Sequence, residues 1–383
     1  MENQVALERE NSAEALYLAF ELSRKKWKLG FSDGKTAQIR QVTVNAGDLE
    51  ASREGIEKAK QRFGLKGSVS VRSCYEAGRE GFWLHRALTE IGIENIVVDA
   101  SSIEINRRQR RAKTDRMDVE KLVRQLMRYW RGEHDVWRIV RVPSAQAEDR
   151  RQLHRELETL KEEKKQHRVR IQSLLFTQGI DMKVGSQFLK RLDGARCWNH
   201  EGIPAQMKQR IVGEYHRLQL VEAQIREAKK KQAEQVQGAA KDSALQKVRL
   251  LEQLIGIGRG SSWIFVMELF GWRHFQNRRE VAGAVGLTPT PYNSGDSVRE
   301  QGICRAGNRR VRKLLIEIAW CWLRLQPNSR LSRWYRQRFA GGGARMRRIG
   351  IVAMARRLAI DLWRYVEFGV VPEGTRLKVA VAH

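Results

Sequence analysis

Two apolar runs, Leu16-Tyr-Leu-Ala-Phe20 and Trp27-Lys-Leu-Gly-Phe31, flank a short polar stretch near the start of the chain. They predict two strands joined by a turn. Over residues 38–44, Val42 and Val44 alternate with polar neighbours, the pattern of a half-exposed third strand. Residues 49–63 then read as a helix and residues 68–75 as a strand ending at Glu76. Residues 82–91 read as a helix, and residues 96–98 as a short buried strand ending at Asp99. The order β-β-β-α-β-α-β implies a mixed sheet flanked by helices. It matters for function because active residues of open α/β sheets gather near strand ends.

After Pro143 the pattern changes. Residues 144–178 contain neither Pro nor Gly, and Leu153, Leu157, Leu160, Ile171 and Leu174 recur at helical spacing, with Lys164 and His167 on the intervening seam. Residues 204–237 carry a second stripe: Met207, Ile211, Leu218, Val221 and Ile225. Two long amphipathic helices around a Gly-containing loop predict an antiparallel coiled-coil arm, which the polar seam should bend or pack on another copy. From residue 245 the pattern is again helical, interrupted by a turn-rich stretch over residues 288–302. The expected class is α/β plus all-α: an α/β domain over residues 1–143, the arm over 144–240 and a helical domain over 241–383.

Charge narrows the function. The 383 residues hold 72 Lys and Arg against 44 Asp and Glu, a formal net charge of +28. Such self-repulsion is best neutralised by a polyanion, and nucleic acid is the commonest one. No apolar run approaches the roughly 20 residues that span a bilayer. Residues 1–15 show no apolar leader core, so a cytoplasmic location without membrane partners is expected. Cys74, Cys197, Cys304 and Cys321 form no Cys-x-x-Cys pair, which predicts free thiols rather than a zinc site or disulfides.

Four carboxylates stand out. Glu21 and Glu76 each end an apolar strand, and Asp115 and Asp118 lie three apart at the start of a helix, hence on one helical face. An all-oxygen set of this kind suits Mg²⁺ or Mn²⁺, which stabilises charge during phosphoryl displacement. The plainer alternative is a helix cap at Asp115 and an edge charge at Glu21. Just before the pair, Arg107, Arg108, Arg110, Arg111, Lys113 and Arg116 concentrate positive charge suited to a phosphate backbone. Leu254-Ile-Gly-Ile-Gly-Arg-Gly-Ser-Ser262 resembles a helix-hairpin-helix turn, in which Gly256 and Gly258 would free backbone N–H groups for a phosphate. Gly-rich turns of this sort also occur with no ligand. Finally, Ser294 stands before Gly295 in a turn, followed by Arg299, Arg305, Arg309 and Arg310. A loop serine approached this openly can act as a nucleophile, with arginines on the attacked phosphate, or it can be an ordinary turn residue.

Three stretches together carry a resemblance: Cys74-Tyr-Glu-Ala-Gly-Arg-Glu-Gly81, Arg111-Ala-Lys-Thr-Asp-Arg-Met-Asp118, and Gly286-Leu-Thr-Pro with Asn293-Ser-Gly295 and Ala306-Gly-Asn-Arg-Arg310. In order and spacing the chain resembles insertion-sequence transposases of the DEDD type, the bridge-RNA-guided serine recombinases, over roughly residues 16–325. The resemblance implies a RuvC-like, ribonuclease-H-fold domain, a coiled-coil linker and a helical transposase domain. Glu76, Asp115 and Asp118 would be the second to fourth members of the metal-binding tetrad, and Ser294 the residue that forms a phosphoserine link to DNA. The first tetrad position normally reads Asp in a Gly-Ile-Asp-Val-Ser-Lys-like strand, whereas here it is Ala19-Phe-Glu21-Leu-Ser-Arg24. The implied partners are DNA (element ends and target), a structured guide RNA and further copies of the chain, as a dimer or tetramer on the bacterial nucleoid. Two alternatives remain at this level: a Holliday-junction-type metal-dependent nuclease with a structural serine, and a non-catalytic nucleic-acid-binding protein.

Overall fold

The computed structural model describes residues 14–103, 115–238, 243–294 and 297–378, and the chain divides into two compact units, Met1–Val142 and Pro143–His383. In the first unit, strands β1 (Ala15–Leu22), β2 (Lys26–Ser32) and β3 (Arg40–Asn45) precede helix α1 (Leu49–Arg62). Strand β4 (Ser70–Glu76), helix α2 (Trp83–Glu90), strand β5 (Glu94–Val98) and helix α3 (Asp115–Trp130) follow. The sheet order is β3-β2-β1-β4-β5, antiparallel among the first three and parallel from β1 through β5. The element order agrees with the sequence reading, and the sheet is mixed.

Strand β1 is apolar and buried from Ala15 to Phe20 because both of its faces are covered there. Leu16, Leu18 and Phe20 pack with Ile56 and Ala59 of α1 and Leu84 and Leu88 of α2, while Ala15, Tyr17 and Ala19 pack with Val119, Leu122, Val123 and Leu126 of α3. Small residues let α3 come close: a Cβ at Gly30 would lie 3.0 Å from a Val119 methyl. Helix α1 starts where the Asp48 carboxylate accepts the Ala51 N–H at 2.9 Å.

After a short helical turn (Ala145–Asp149), the second unit continues with α4 (Gln152–Phe176), α5 (Phe188–Asp193) and α6 (Ala205–Gly238). Leu157 and Leu160 pack against Val221, Ile225 and Ala228, whereas Ile171 and Leu175 pack against Ile211, Tyr215 and Leu218, so α4 and α6 run antiparallel. The polar seam is satisfied within the pair. Lys164 meets Glu222 at 2.8 Å, and His167 Nδ1 lies 2.7 Å from the Glu214 carboxylate, which Arg170 and Arg217 also reach. There follow α7 (Ser243–Glu252), α8 (Arg259–Phe265) running into a π-helical turn (Val266–Phe270), and α9 (Arg278–Ala284). Strands β6 (Pro289–Ser294) and β7 (Ser297–Ile303) precede α10 (Arg309–Leu325), α11 (Arg330–Tyr335) and α12 (Ala344–Phe368). One core binds these helices, with Leu153 of α4 and Val236 of α6 joined to it. The helices expected as an arm and those after them thus fall in a single unit.

The stretch expected to be turn-rich is instead a hairpin. Two prolines at 289 and 291 hide the strand pattern, and the register slips between them, as expected where a residue cannot donate to the ladder.

Candidate functional site

Strands β1 and β4 pair in parallel with Phe20 opposite Tyr75, so Glu21 and Glu76 come next in register on neighbouring strands. Strand alternation fixes their face. Ala19 and Cys74 both pack toward α3, and a period of two puts Glu21 and Glu76 on that same side. Helix α3 runs antiparallel to β1. Its last turn reaches back to the beginning of the sheet, where Arg131, just past α3, donates to the Gly34 carbonyl and Ser32 Oγ lies 3.4 Å from Met127 Sδ. Its first turn, which opens with Asp115 and contains Asp118, therefore lies toward the edge where β1 and β4 end. Glu76 is exposed, and Glu21 and Asp118 are half-buried. The loop after Glu76 is shaped by the Tyr75 hydroxyl, which donates to the Gly81 carbonyl at 2.9 Å, with Gly81 at φ 63°.

Glu21 and Glu76 thus end neighbouring parallel strands on one face, and Asp115 and Asp118 belong to the first turn of the helix packed on that face. Among the described residues, no three such groups are drawn together at ligating spacing. The Asp115 side chain falls outside the description, as do Arg107, Arg108, Arg110, Arg111 and Lys113 in their entirety.

The predicted nucleophile sits at a different kind of place. Ser294 is the last residue of β6 and pairs with Ser297 across the end of the hairpin, while residues 295 and 296 and the side chains of 291–301, Arg299 included, lie outside the description. What holds the hairpin is its base. Gly286 and Gly307 both have positive φ, 66° and 104°. An added Cβ would lie 2.0 Å from the Ala306 carbonyl oxygen at Gly286 and 2.4 Å from the Ala284 oxygen at Gly307. Only glycine permits so close an approach of two backbone segments. Hydrogen bonds close the clasp: Cys304 N–H to Thr288 O at 2.9 Å, Arg305 N–H to Gly286 O at 3.2 Å and Asn308 N–H to Ala284 O at 2.9 Å. Arg305 itself is held at φ 56°, a left-handed conformation rare outside glycine and hence a local strain at the foot of β7.

Beneath the clasp lies a group that sequence reasoning missed. Glu268, fully buried in the π-helical turn, accepts from His154 Nε2 at 2.8 Å, from Arg155 Nε at 3.0 Å and from Asn308 Nδ2 at 2.8 Å. Burial pushes its carboxyl up, but the hydrogen bonds from His154, Arg155 and Asn308 outweigh it and hold the group far below the usual carboxylate range. Because an ionised carboxylate only accepts, His154 carries its proton on Nε2. Asn308 also caps α10, accepting from the Arg310 and Val311 N–H groups at 3.0 and 3.1 Å. One buried carboxylate thus ties α4, the π-helical turn and the start of the helix that follows the serine hairpin. The available signal was a lone charge inside the apolar run Trp263–Phe270.

Of the basic residues singled out, Arg305 and Arg309 are exposed, whereas Arg310 pairs with Glu158 of α4 at 2.7 Å. Gly256 takes φ 98° in the turn between α7 and α8, and Gly258 caps α8 in an extended conformation. Part of that turn is covered by the chain's own C-terminal segment: Ile255 N–H donates to Arg376 O, and Lys378 N–H to Gln253 O. Cys74 and Cys197 are buried and Cys304 and Cys321 half-buried, with burial pushing the Cys74 thiol up. Among the described residues, no helix is long and apolar enough to cross a membrane.

A family model for the IS116/IS110/IS902 transposases matches residues 248–334, a segment containing the Gly256–Gly258 turn, Glu268, the clasped hairpin and Asn308. Two proteins of Sinorhizobium fredii (strain NBRC 101917 / NGR234) are similar over longer stretches. "Putative transposase y4rJ" is 39% identical over 381 residues, 95% of each chain. "Putative transposase y4qE" is 29% identical over 280 residues, 72% of this chain and 64% of the other. With similarity running through both the carboxylate edge and the serine hairpin, the chain belongs to the IS116/IS110/IS902 transposase family.

Proposed function

We propose that this transposase is a site-specific recombinase that cuts and rejoins DNA through a phosphoserine link made by Ser294. A RuvC-like unit would hold Mg²⁺ or Mn²⁺ with Glu21, Glu76, Asp115 and Asp118. A structured guide RNA would choose the site, and the chain would act as a dimer or tetramer. The observation that supports this reading is that Glu21 and Glu76 end neighbouring parallel strands on the face covered by α3, the helix that opens with Asp115 and Asp118. The clasped hairpin ending in Ser294 supports it from the other unit.

The serine oxygen loses its proton and bonds to phosphorus, and the sugar oxygen leaves with a proton. A hydroxyl of the incoming strand then attacks the phosphoserine and restores the serine. Bonds made and broken are alike, so no external energy source is needed. A bound divalent cation would stabilise negative charge on the phosphoryl oxygens. The protein's own part is to present Ser294 on a rigid support, which the Gly286–Gly307 clasp and the Glu268-anchored start of α10 provide.

The test is a denaturing gel after incubation with labelled element-end DNA and Mg²⁺. Wild-type protein gives an SDS-stable protein–DNA adduct, and Ser294→Ala gives none while still binding nucleic acid. Metal-dependent strand cleavage by Ser294→Ala at the wild-type rate, without any adduct, would overturn the serine mechanism in favour of a Holliday-junction-type nuclease.

A further inference from the structure

Six arginines from three helices converge on a groove in the second unit that the mechanism above does not use. Arg278 and Arg279 of α9, Arg330 of α11, and Arg356, Arg357 and Arg364 of α12 line a cleft of about 480 Å³. The carboxylate lining it is Asp361, 3.8 Å from Arg330 and nearly enclosed. Glu373, which lines an adjoining hollow with Arg330 and Arg364, is already engaged by Arg333 at 2.9 Å and Arg330 at 3.8 Å. So much like charge brought together costs free energy unless an anion is bound. Burial and the neighbouring Arg356, Arg330 and Arg338 hold Arg357 below its ordinary value. Arg357 is nonetheless fixed in place, with its guanidinium 4.0 Å from the Trp334 ring centroid.

The groove is a track rather than a cup. Arg278 and Arg364 continue into an adjoining hollow whose far wall is Trp363, Phe368 and Val370. Phe368 is 65% exposed, an unusual cost for so large an apolar side chain, and it stands edge-on to Trp363 at 5.4 Å between ring centroids. A line of guanidinium groups ending at an exposed aromatic is the pattern that binds single strands: cations follow the phosphates and a base stacks on the ring. A duplex, with its bases already stacked on each other, has no use for the ring. Thr288, the residue before β6, lines the same cleft, so the track lies at most about 20 Å along that strand from Ser294.

We infer that this groove binds the phosphodiester backbone of a single-stranded nucleic acid, with one base on Phe368, beside the serine hairpin. The assignment of the strand to the recombination reaction rests on the function proposed above, whereas the binding itself does not.

The experiment measures fluorescence anisotropy of the full chain with a labelled 20-nucleotide DNA strand, an RNA strand of the same sequence and the corresponding duplex, each over a salt series. Arg356→Gln/Arg364→Gln weakens single-strand binding about tenfold at low salt. It also flattens the log–log salt slope by about 1.4, since each single-strand phosphate contact contributes roughly 0.7. Phe368→Ala weakens single-strand binding by about tenfold, leaving the slope and duplex binding unchanged. Arg226→Gln/Lys229→Gln on α6 removes the same charge outside the groove and moves neither quantity. If the α12 pair does not fold, Arg278→Gln/Arg279→Gln, both exposed in the first turn of α9, carries the same expectation. Whichever of DNA and RNA binds more tightly names the strand. An equal response of the groove and α6 pairs, or a Phe368→Ala loss shared equally by duplex, overturns the inference. An absent covalent adduct with wild-type protein would overturn the serine mechanism while leaving these binding results standing.

Discussion

Two kinds of carboxylate in this molecule carry the same charge under opposite conditions. Glu268 is fully buried, and three donors from α4 and the start of α10 surround it. Glu76 is exposed, and Glu21 and Asp118 are half-buried at the end of a sheet whose interior is apolar. Arg155 Nη2 also reaches the second oxygen of Glu268 at 3.4 Å, so each oxygen accepts twice, and removing the carboxylate leaves His154 and Arg155 as uncompensated donors. A carboxylate at the sheet edge contributes little to the apolar core. Burial in a closed set of donors therefore separates a carboxylate that builds the support from those proposed to hold a cation, and each substitution below tests which side of the line a residue falls on.

The largest contrast is expected at α3. Asp115→Asn and Asp118→Asn each keep side-chain size and remove the charge a divalent ion requires. Strand exchange should be abolished while the folded protein and its nucleic-acid binding are retained, as read by thermal unfolding and anisotropy. EDTA should reproduce the loss and added Mg²⁺ or Mn²⁺ reverse it. Undiminished exchange in chelator would move the edge carboxylates to the structural side.

Glu268→Ala should do the reverse. Breaking a buried ion pair by removing one partner costs roughly 3 kcal/mol, read as a lowered urea midpoint of the second unit, with the unit holding α3 unaffected. The folded carboxyl lies below its ordinary value near 4.5. Its stabilisation is therefore present above that pH and lost as the solution is acidified through and below it. The wild-type midpoint should fall on acidification below about pH 4.5, and the Glu268→Ala midpoint should fall less. Parallel acid curves would show that the node contributes nothing.

Much of the fold was legible because it rests on local pattern. The strands of the first unit show in runs such as Leu16–Phe20, and α4 and α6 in their apolar stripes. The edge placement of Glu21 and Glu76 was legible too, since each follows a buried strand. What escaped depends on contacts between distant residues. His154 and Glu268 are 114 positions apart, and nothing local to either marks the pairing. The seam residues Lys164 and His167 read as defects until Glu222 and Glu214 are placed opposite them. The hairpin was hidden because Pro289 and Pro291 read as turn residues, while its determinants, Gly286 and Gly307, lie outside both strands. The arginine track is dispersed over α9, α11 and α12, so no charge run betrays it.

The smallest effect is expected at Glu21, where the sequence departs from the Asp of the family it resembles. Glu21 follows Phe20, which is completely buried, so the backbone at this corner is set by the core and not by the carboxylate. Shortening the side chain by one methylene moves the oxygens by about one C–C bond, and Mg²⁺ keeps several waters that can take up such a gap. Glu21→Asp should accordingly retain strand exchange within a few-fold of wild type, whereas Glu21→Gln, which removes the charge at full length, should match the loss at Asp115. The two variants separate the possibilities cleanly when exchange rate is measured against Mg²⁺ concentration. A ligand role predicts that Glu21→Asp shifts the Mg²⁺ midpoint while reaching the wild-type plateau, and that Glu21→Gln never reaches it. A harmless Glu21→Gln would place Glu21 beside Glu268 as a structural carboxylate and leave Glu76, Asp115 and Asp118 as the complete set.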